Sequence, residues 1–459
     1  MTKQFKILIY LLPIPFLANF LINIKNLKHL EVTNFVFAFF CFLFLYFLGV
    51  QISEVFKFNS ISLSIAIYLV SIFSLNFLFL PLDKYLFTFK QIFLILNLML
   101  LLFVLIKKGN VKKLGFLLIY LVLLRYSSNY IDFSNINYVQ YSSDVSKFWN
   151  PMTEKIYNKD LYFALRLNIF EGYSLMINYV FAELSYLFIE KKYFSFAQVI
   201  PNIFLFLNLL VIKELKIERL LKISLTIIYI SIVLNSDWIS YLFVNSLMGE
   251  VIVNFIFTVF VVNFYNNPEI QYKKSYFFLL GFLYFLKPFA SILFLVIALS
   301  MYKNRKKLYY IYLPIFGFLF NYIYSNTLLT DKLESERDIV ENIYIKILLE
   351  NGEKFFDFKL SNILTIFNEF ILIDKVLTLF LVLYLITKTF GVRSGDNFNI
   401  LTQIIILNLL LVLYLYTTVW KSMEFGSSYR YIFSFLSLYF IDMFLTLDKF
   451  INKRSRNVY

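Results

Sequence analysis

The chain has 459 residues, of which 60% are hydrophobic and 16% are charged, and its mean hydropathy is +0.73. Soluble domains carry about 25% charged residues, so this composition excludes an ordinary soluble globule and predicts an all-α, polytopic helical bundle in a membrane. The formal net charge is +14. Because the basic residues form short clusters between apolar segments, they indicate membrane topology and not a nucleic-acid partner.

Apolar windows of about 17 to 25 residues, the length that crosses a bilayer as one helix, recur along the chain. The segment 275-302 is longer and is interrupted by Lys287 and Pro288, so it predicts a hairpin of two short helices. With this hairpin the chain makes about 14 crossings. The other predicted spans lie near 5-24, 33-51, 60-81, 90-106, 112-128, 195-212, 219-237, 249-265, 308-325, 369-387, 399-418 and 429-447.

Basic clusters set the predicted orientation of these spans. Clusters at 107-113, 213-222 and 303-307 all fall on one side, which the positive-inside rule makes cytoplasmic, together with both termini. The long connections 129-194 and 326-361 then lie outside. Tyr173 to Ile189 is apolar enough to cross, but a crossing there would turn every later basic loop outward. We therefore predict a juxtamembrane helix that lies in or dips into the outer leaflet.

Two regions follow from this arrangement. Residues 1-111 are predicted to form an N-terminal extension of four transmembrane helices, and residues 112-459 a second transmembrane module that carries both long outer loops, 129-194 and 326-361. The predicted location is the plasma membrane of a bacterium or an archaeon. With one cysteine and one histidine in the chain, disulfide frameworks, histidine-based triads and zinc sites are excluded.

Asp144 is the first candidate for chemistry. It lies beyond the outer end of the fifth span and is followed by Trp149 and Pro151, so its carboxylate would meet the head of a lipid-borne substrate at the membrane surface. One interpretation is a general base or a group that positions the acceptor. The alternative is that Asp144 only caps a helix that begins near Val145.

Four further residues are predicted to lie in the same outer layer. Asp237 and Glu250 flank a short apolar segment at the ends of adjacent spans, where they either converge on a site or are ordinary helix-end residues. Lys287 lies at the Pro288 break, and Arg430 lies at the start of the last span. Each cation would either face an anionic group such as a phosphate or extend along the helix so that its charge reaches the membrane surface.

This pattern as a whole resembles the GT-C superfamily of glycosyltransferases that depend on polyprenyl phosphates. Asp144 in SSDVSKFWNP would match the acid of the first outer loop, and Asp237 or Glu250 the second acid. LLGFLYFLKPFASILFLVIAL, around Lys287, is similar to a broken helix of that family, and SSYRYIFSFLSLYFI, around Arg430, to its late Arg-Tyr helix. The resemblance covers roughly 112-447.

The resemblance implies an inverting transfer of a sugar from a polyprenyl-phosphate donor to a hydroxyl acceptor on the outer side. Asp144 would act as the catalytic carboxylate, and Asp237, Glu250, Lys287 and Arg430 would bind substrate. The implied partners are a lipid-linked sugar donor, membrane lipids, and a glycan, lipid or protein acceptor. A divalent metal is the one cofactor that some members of the family use.

Two other functions remain open at this stage. A polysaccharide flippase or other transporter would carry charges along a path through several spans, and most predicted spans here are bare of charge. A polymerase or ligase of the O-antigen type would rely on arginines in large outer loops, whereas 326-361 contains only Arg337.

Overall fold

The computed structural model of the protein describes residues 32-78, 111-130, 150-158, 176-189, 199-240, 249-267, 375-393, 400-418 and 436-456, with a few isolated positions outside these ranges. Every regular element in these ranges is a helix, which confirms the predicted all-α class. The predicted hairpin at 275-302 and the outer loop 326-361 lie outside the described residues.

We number the described helices in chain order. They are α1 (Val32–Phe56), α2 (Ile61–Leu78), α3 (Val111–Ser128), α4 (Asn150–Asn158), α5 (Met176–Phe188), α6 (Val199–Glu214), α7 (Arg219–Asn235), α8 (Asp237–Ser240), α9 (Glu250–Asn266), α10 (Lys375–Arg393), α11 (Ile400–Thr418) and α12 (Leu436–Arg456).

Helix α1 is the one described helix that is long and apolar enough to cross a membrane, as judged by length and composition; it lies near the N-terminus. It ends in a left-handed residue, Lys57, with φ 56°. The N–H of Phe58 donates to the carbonyl of Ser53 at 2.9 Å, which is the bond that closes a Schellman-type helix end. The chain therefore reverses within four residues and α2 packs back on α1.

The remaining helices assemble around two centres. Helix α1 packs on α2, α3 and α6, and α6 continues the contact to α9. Helix α12 forms the second centre, because it contacts α7, α9, α10 and α11. The core between them is aliphatic and aromatic, and its largest fully buried side chains include Tyr179, Tyr229 and Tyr439.

Polar contacts gather at one end of this assembly, which we call the basic end. There the carboxylate of Glu214 at the end of α6 meets the start of α2, Lys113 of α3 lies 3.7 Å from Glu54 of α1, and Asn266 of α9 donates to the carbonyl of Glu214. The N–H of Glu218, just before α7, donates to Asp448 of α12 at 3.1 Å. The basic residues at 112-113, 213-222 and 449-456 thus belong to helix ends that meet on one side.

The opposite end of the assembly, the far end, contains the ends of α3 and α7 and the start of α9. Helix α5 reaches it as well, since Arg125 near the end of α3 donates to the carbonyls of Tyr186 and Leu187 at the end of α5. Helix α6 then runs from Val199 to Glu214 at the basic end. Helix α5 therefore ends, and α6 begins, at the far end.

Candidate functional site

The five residues predicted to form the outer site are described to different extents. Asp144, Lys287 and Arg430 lie outside the described residues. Asp237 begins the four-residue helix α8, directly after α7 ends at the far end, but its side chain is not described. Glu250 is described in full: it is the first residue of α9 and is completely buried.

A buried polar network anchors the helix on which Glu250 lies. One turn further along α9, Asn254 donates to the hydroxyl of Ser437 on α12 at 2.7 Å and accepts from the N–H of Ser437 at 3.0 Å. The hydroxyl of Ser437 in turn contacts that of Tyr229 on α7 at 3.3 Å. This network holds α7, α9 and α12 side by side. Asp237, just after the end of α7, and Glu250, at the start of α9, therefore lie at the same far end.

The segment predicted to be the first outer loop contains two described helices, α4 and α5, and α5 packs on the longer helices α2, α3 and α6. Helices α4 and α5 pack against each other, and the amide of Asn178 donates to Thr153 at 3.0 Å across their interface. The guanidinium of Arg125 also lies 5.6 Å from the centre of the Tyr186 ring. A cation at the carbonyl end of a helix is favourable, so Arg125 fastens α5 to α3.

Glu183 lies in the middle of α5 and has no exposed surface. Neither of its carboxyl oxygens has a hydrogen-bond partner. Burial raises the pKa of Glu183 well above its usual value, because the charged form loses its hydration and gains nothing in return. Glu183 was not among the predicted site residues. The structure shows it as a buried carboxyl on α5, where α5 packs against α2, α3, α4 and α6.

A second polar centre, which the sequence analysis missed, joins α10, α11 and α12. The ammonium of Lys388 donates to Asp442 at 2.6 Å, to Thr402 at 2.8 Å and to Thr446 at 3.0 Å. The other carboxylate oxygen of Asp442 accepts from the hydroxyl of Tyr384 at 2.8 Å. Asp442 is wholly buried and the Lys388 side chain is 18% exposed, so the ion pair is enclosed by three helices and well supplied with hydrogen bonds.

A sequence signal for this centre does exist. Tyr384 and Lys388 are four residues apart, as are Asp442 and Thr446, and residues at that spacing share one face of a helix. Polar residues on one face of two otherwise apolar helices indicate that the two faces meet.

Within the described ranges, no group of three or more histidine, cysteine, aspartate or glutamate side chains could hold a metal ion. Comparisons of the chain with protein-family models, with curated proteins and with solved structures find no match.

Proposed function

We propose that the chain is a multi-pass integral membrane protein. The support, beyond α1, is the apolar surface that several helices leave exposed. On α3 the side chains of Ile119 and Val122 are 64% and 65% exposed, and α10 exposes Leu379, Val382 and Leu385. Apolar faces of this kind on several helices are costly in water and favourable in lipid.

This proposal is tested by labelling. Single cysteines at Asn135, Lys222 and Asn342 would be treated from outside intact cells with a membrane-impermeant thiol reagent. Cys41 is fully buried in α1, so a Cys41→Ala background removes it without leaving a polar group. We expect labelling at positions 135 and 342 and none at 222. Labelling at all three positions would contradict the orientation.

Within the membrane assembly, the function we propose is transfer of a sugar from a polyprenyl-phosphate donor to a hydroxyl acceptor at the far end. The observation that carries it is the packed layer of α4 and α5. Helix α5 is buried against α2, α3 and α6, and α4 packs on α5, as the juxtamembrane helix predicted from the sequence leads one to expect. Glu250 and the start of α8 lie at the same end.

In this function Asp144 would deprotonate or orient the acceptor hydroxyl, which then displaces the lipid phosphate from the anomeric carbon of the sugar. Glu250 and Asp237 would bind substrate hydroxyls. Lys287 and Arg430 would match the charge of the departing phosphate, a role that suits cations next to a polyanion. Support for this arrangement comes from α12: Ser437 contacts Asn254 one turn from Glu250, and Arg430 precedes α12 in sequence.

The test is a transfer assay with purified protein and a radiolabelled polyprenyl-phosphate sugar. We expect consumption of the donor, and loss of a general base should lower the rate of Asp144→Asn by about 10² to 10⁴. Asp160→Asn, which changes another acid of the same predicted loop, is the matched control and should keep its rate. Native mass spectrometry of gently purified protein should also detect a bound polyprenyl phosphate. Absence of both signals would refute the proposal.

One observation favours a second function, a transporter. The enclosed pair of Lys388 and Asp442 places two charges among apolar helices, and ionisable groups in such positions commonly mark substrate or ion pathways. Reconstituted vesicles separate the two functions. A glycosyltransferase consumes the lipid-linked sugar without net transport, whereas a flippase moves the intact molecule to the other leaflet and Lys388→Met abolishes that movement.

A further inference from the structure

The turn between α6 and α7, at the basic end, concentrates positive charge. We call Lys213, Lys216, Arg219 and Lys222 the basic turn. The ammonium of Lys222 donates to the carbonyl of Lys213 at 2.8 Å, and an ammonium has three donors, so two are left for another acceptor. The charges of Lys213 and Lys222 are close enough to interact, and like charges repel each other. An anion between them would remove this repulsion.

The acids near the basic turn are directed at other groups. Glu214 accepts hydrogen bonds from the start of α2, and Asp448 of α12 accepts from the N–H of Glu218 at 3.1 Å. Among the residues that the structure describes, no ion pair includes a cation of the basic turn. Elsewhere at the basic end, Lys113 lies 3.7 Å from Glu54. The basic turn therefore presents charge that the described acids do not match.

Two exposed apolar side chains adjoin this charge. Leu220 and Ile223 are 51% and 48% exposed, and they are the exposed members among the described large apolar side chains of α6, α7 and α9. Arg219 and Lys222 alternate with them at the start of α7, and at this spacing all four share one side of the helix. Such a surface suits a molecule that is anionic at one end and apolar beyond it.

We propose that the basic turn, with Leu220 and Ile223, is a binding site for an anionic phospholipid. The lipid phosphate accepts charge-assisted hydrogen bonds from Arg219 and Lys222, and the first part of an acyl chain lies against the two apolar side chains. Free phosphate would meet the same cations but would gain nothing from the apolar pair. The inference rests on the proposal that the chain is embedded in a membrane, and it is independent of sugar transfer.

The test is a lipid titration of the full-length, delipidated protein in detergent, read by native mass spectrometry. The probes are phosphatidylglycerol and phosphatidylcholine with identical acyl chains. We expect the wild type to bind phosphatidylglycerol about tenfold more tightly, because cations at a membrane surface attract anionic headgroups and not zwitterionic ones.

Variants at exposed positions locate the site without disturbing the core. Arg219→Gln should weaken the binding of phosphatidylglycerol about fivefold, and Arg219→Gln with Lys213→Gln about twentyfold. Lys112→Gln removes an exposed charge from the same end but outside the basic turn, so it is the matched control and should stay within about twofold of the wild type. Ile223→Ser keeps every charge and should weaken binding about threefold, since an apolar contact is lost.

Inorganic phosphate distinguishes the lipid from a free anion. An excess of it should displace no more phosphatidylglycerol than sodium chloride of equal ionic strength does, and greater displacement would assign the site to a free anion and overturn the inference. Equal affinity for the two lipids, or equal losses in Arg219→Gln and Lys112→Gln, would overturn it and leave the membrane proposal intact. A chain that stays soluble after the detergent is removed would overturn both.

Discussion

The Lys388 centre and the α5 layer use buried charge in opposite ways. At Lys388 and Asp442 two opposite charges meet, and hydroxyls from Tyr384, Thr402 and Thr446 complete the hydrogen bonds. In α5, Glu183 is buried to the same extent with neither an opposite charge nor a hydrogen bond.

The difference indicates what each region does. A network in which every member is satisfied holds helices in a fixed relation, whereas an unsatisfied group destabilises its surroundings unless a ligand or a proton compensates. The Lys388 centre therefore stabilises the unit of α10, α11 and α12, whereas the α5 layer contains a group that destabilises it unless it is protonated. The following predictions test that contrast.

The largest effect is expected at Lys388. Lys388→Met leaves Asp442 as a buried charge without its partner, and breaking a buried pair in this way costs about 3 to 5 kcal/mol in free energy of unfolding. The double variant Lys388→Met, Asp442→Asn removes both charges and should regain most of that loss. The measurement is a titration of the purified protein with a denaturing detergent. Equal losses in the single and double variants would mean that the pair is not the source of the stability.

A second satisfied centre, at the basic end, should respond less. The carboxylate of Glu214 accepts hydrogen bonds from the hydroxyls of Ser60 and Ser62 at 2.6 Å and from the N–H groups of Ile61 and Ser62 at 2.8 and 3.0 Å. It thus caps α2 from a neighbouring helix.

Glu214→Ala should lower the free energy of unfolding by about 2 kcal/mol, because a cap and its charge-assisted bonds are lost together. Lys213→Ala, next in sequence and exposed, is the control and should stay within about 0.5 kcal/mol of the wild type. The same detergent titration measures both. If the two variants behave alike, the contacts of Glu214 do not stabilise the fold.

The sequence was sufficient for most of the described helices and for their relative direction. Hydropathy predicted 60-81 and 112-128, where α2 and α3 are found. It was less accurate for the end of α12, predicted at 447 and observed at Arg456, because hydropathy detects the apolar part of a helix while Lys449 and Lys453 continue it as a polar helix.

The site could be predicted only in part, for a physical reason. Glu250 was identified from its place at the end of a span. Lys388 lies one residue beyond a predicted span, and Asp442 lies inside another, so nothing in the sequence linked the two. Only the packing of α10 on α12 brings their side chains within 2.6 Å of each other. The lack of partners at Glu183 is likewise a property of its surroundings, which no local pattern contains.

Because Glu183 has no partner, we predict that its effect on the pH dependence of stability is opposite in sign to that of an ordinary paired carboxylate. Since the pKa of Glu183 is raised in the folded protein, the folded state holds its proton at pH values where the unfolded state has lost it. Stability should fall as the pH rises from about 4.5 toward the folded pKa, with a slope of at most about 1.4 kcal/mol per pH unit. Thermal unfolding between pH 5 and 9 measures this slope, and Glu183→Gln should reduce it. An unchanged slope in that variant would place the titrating group elsewhere.

The smallest effect is expected at Arg125, and it tests whether the α5 layer can open separately from the rest. Arg125 holds the end of α5 through the carbonyls of Tyr186 and Leu187 and lies against the Tyr186 ring. Arg125→Ala should cost about 1 kcal/mol, and this loss should be local, since α5 is short and its other contacts remain. Hydrogen exchange should therefore become about fivefold faster in α5 while α10 and α12 keep their protection. Arg125→Lys keeps the charge but loses the planar guanidinium with its two donors. Its exchange rate in α5 should therefore lie between the rates of the wild type and of Arg125→Ala. If exchange rose equally in α5 and α12, the layer would not be a separate unit, and the contrast between a fixed centre at Lys388 and a layer that opens separately would fail.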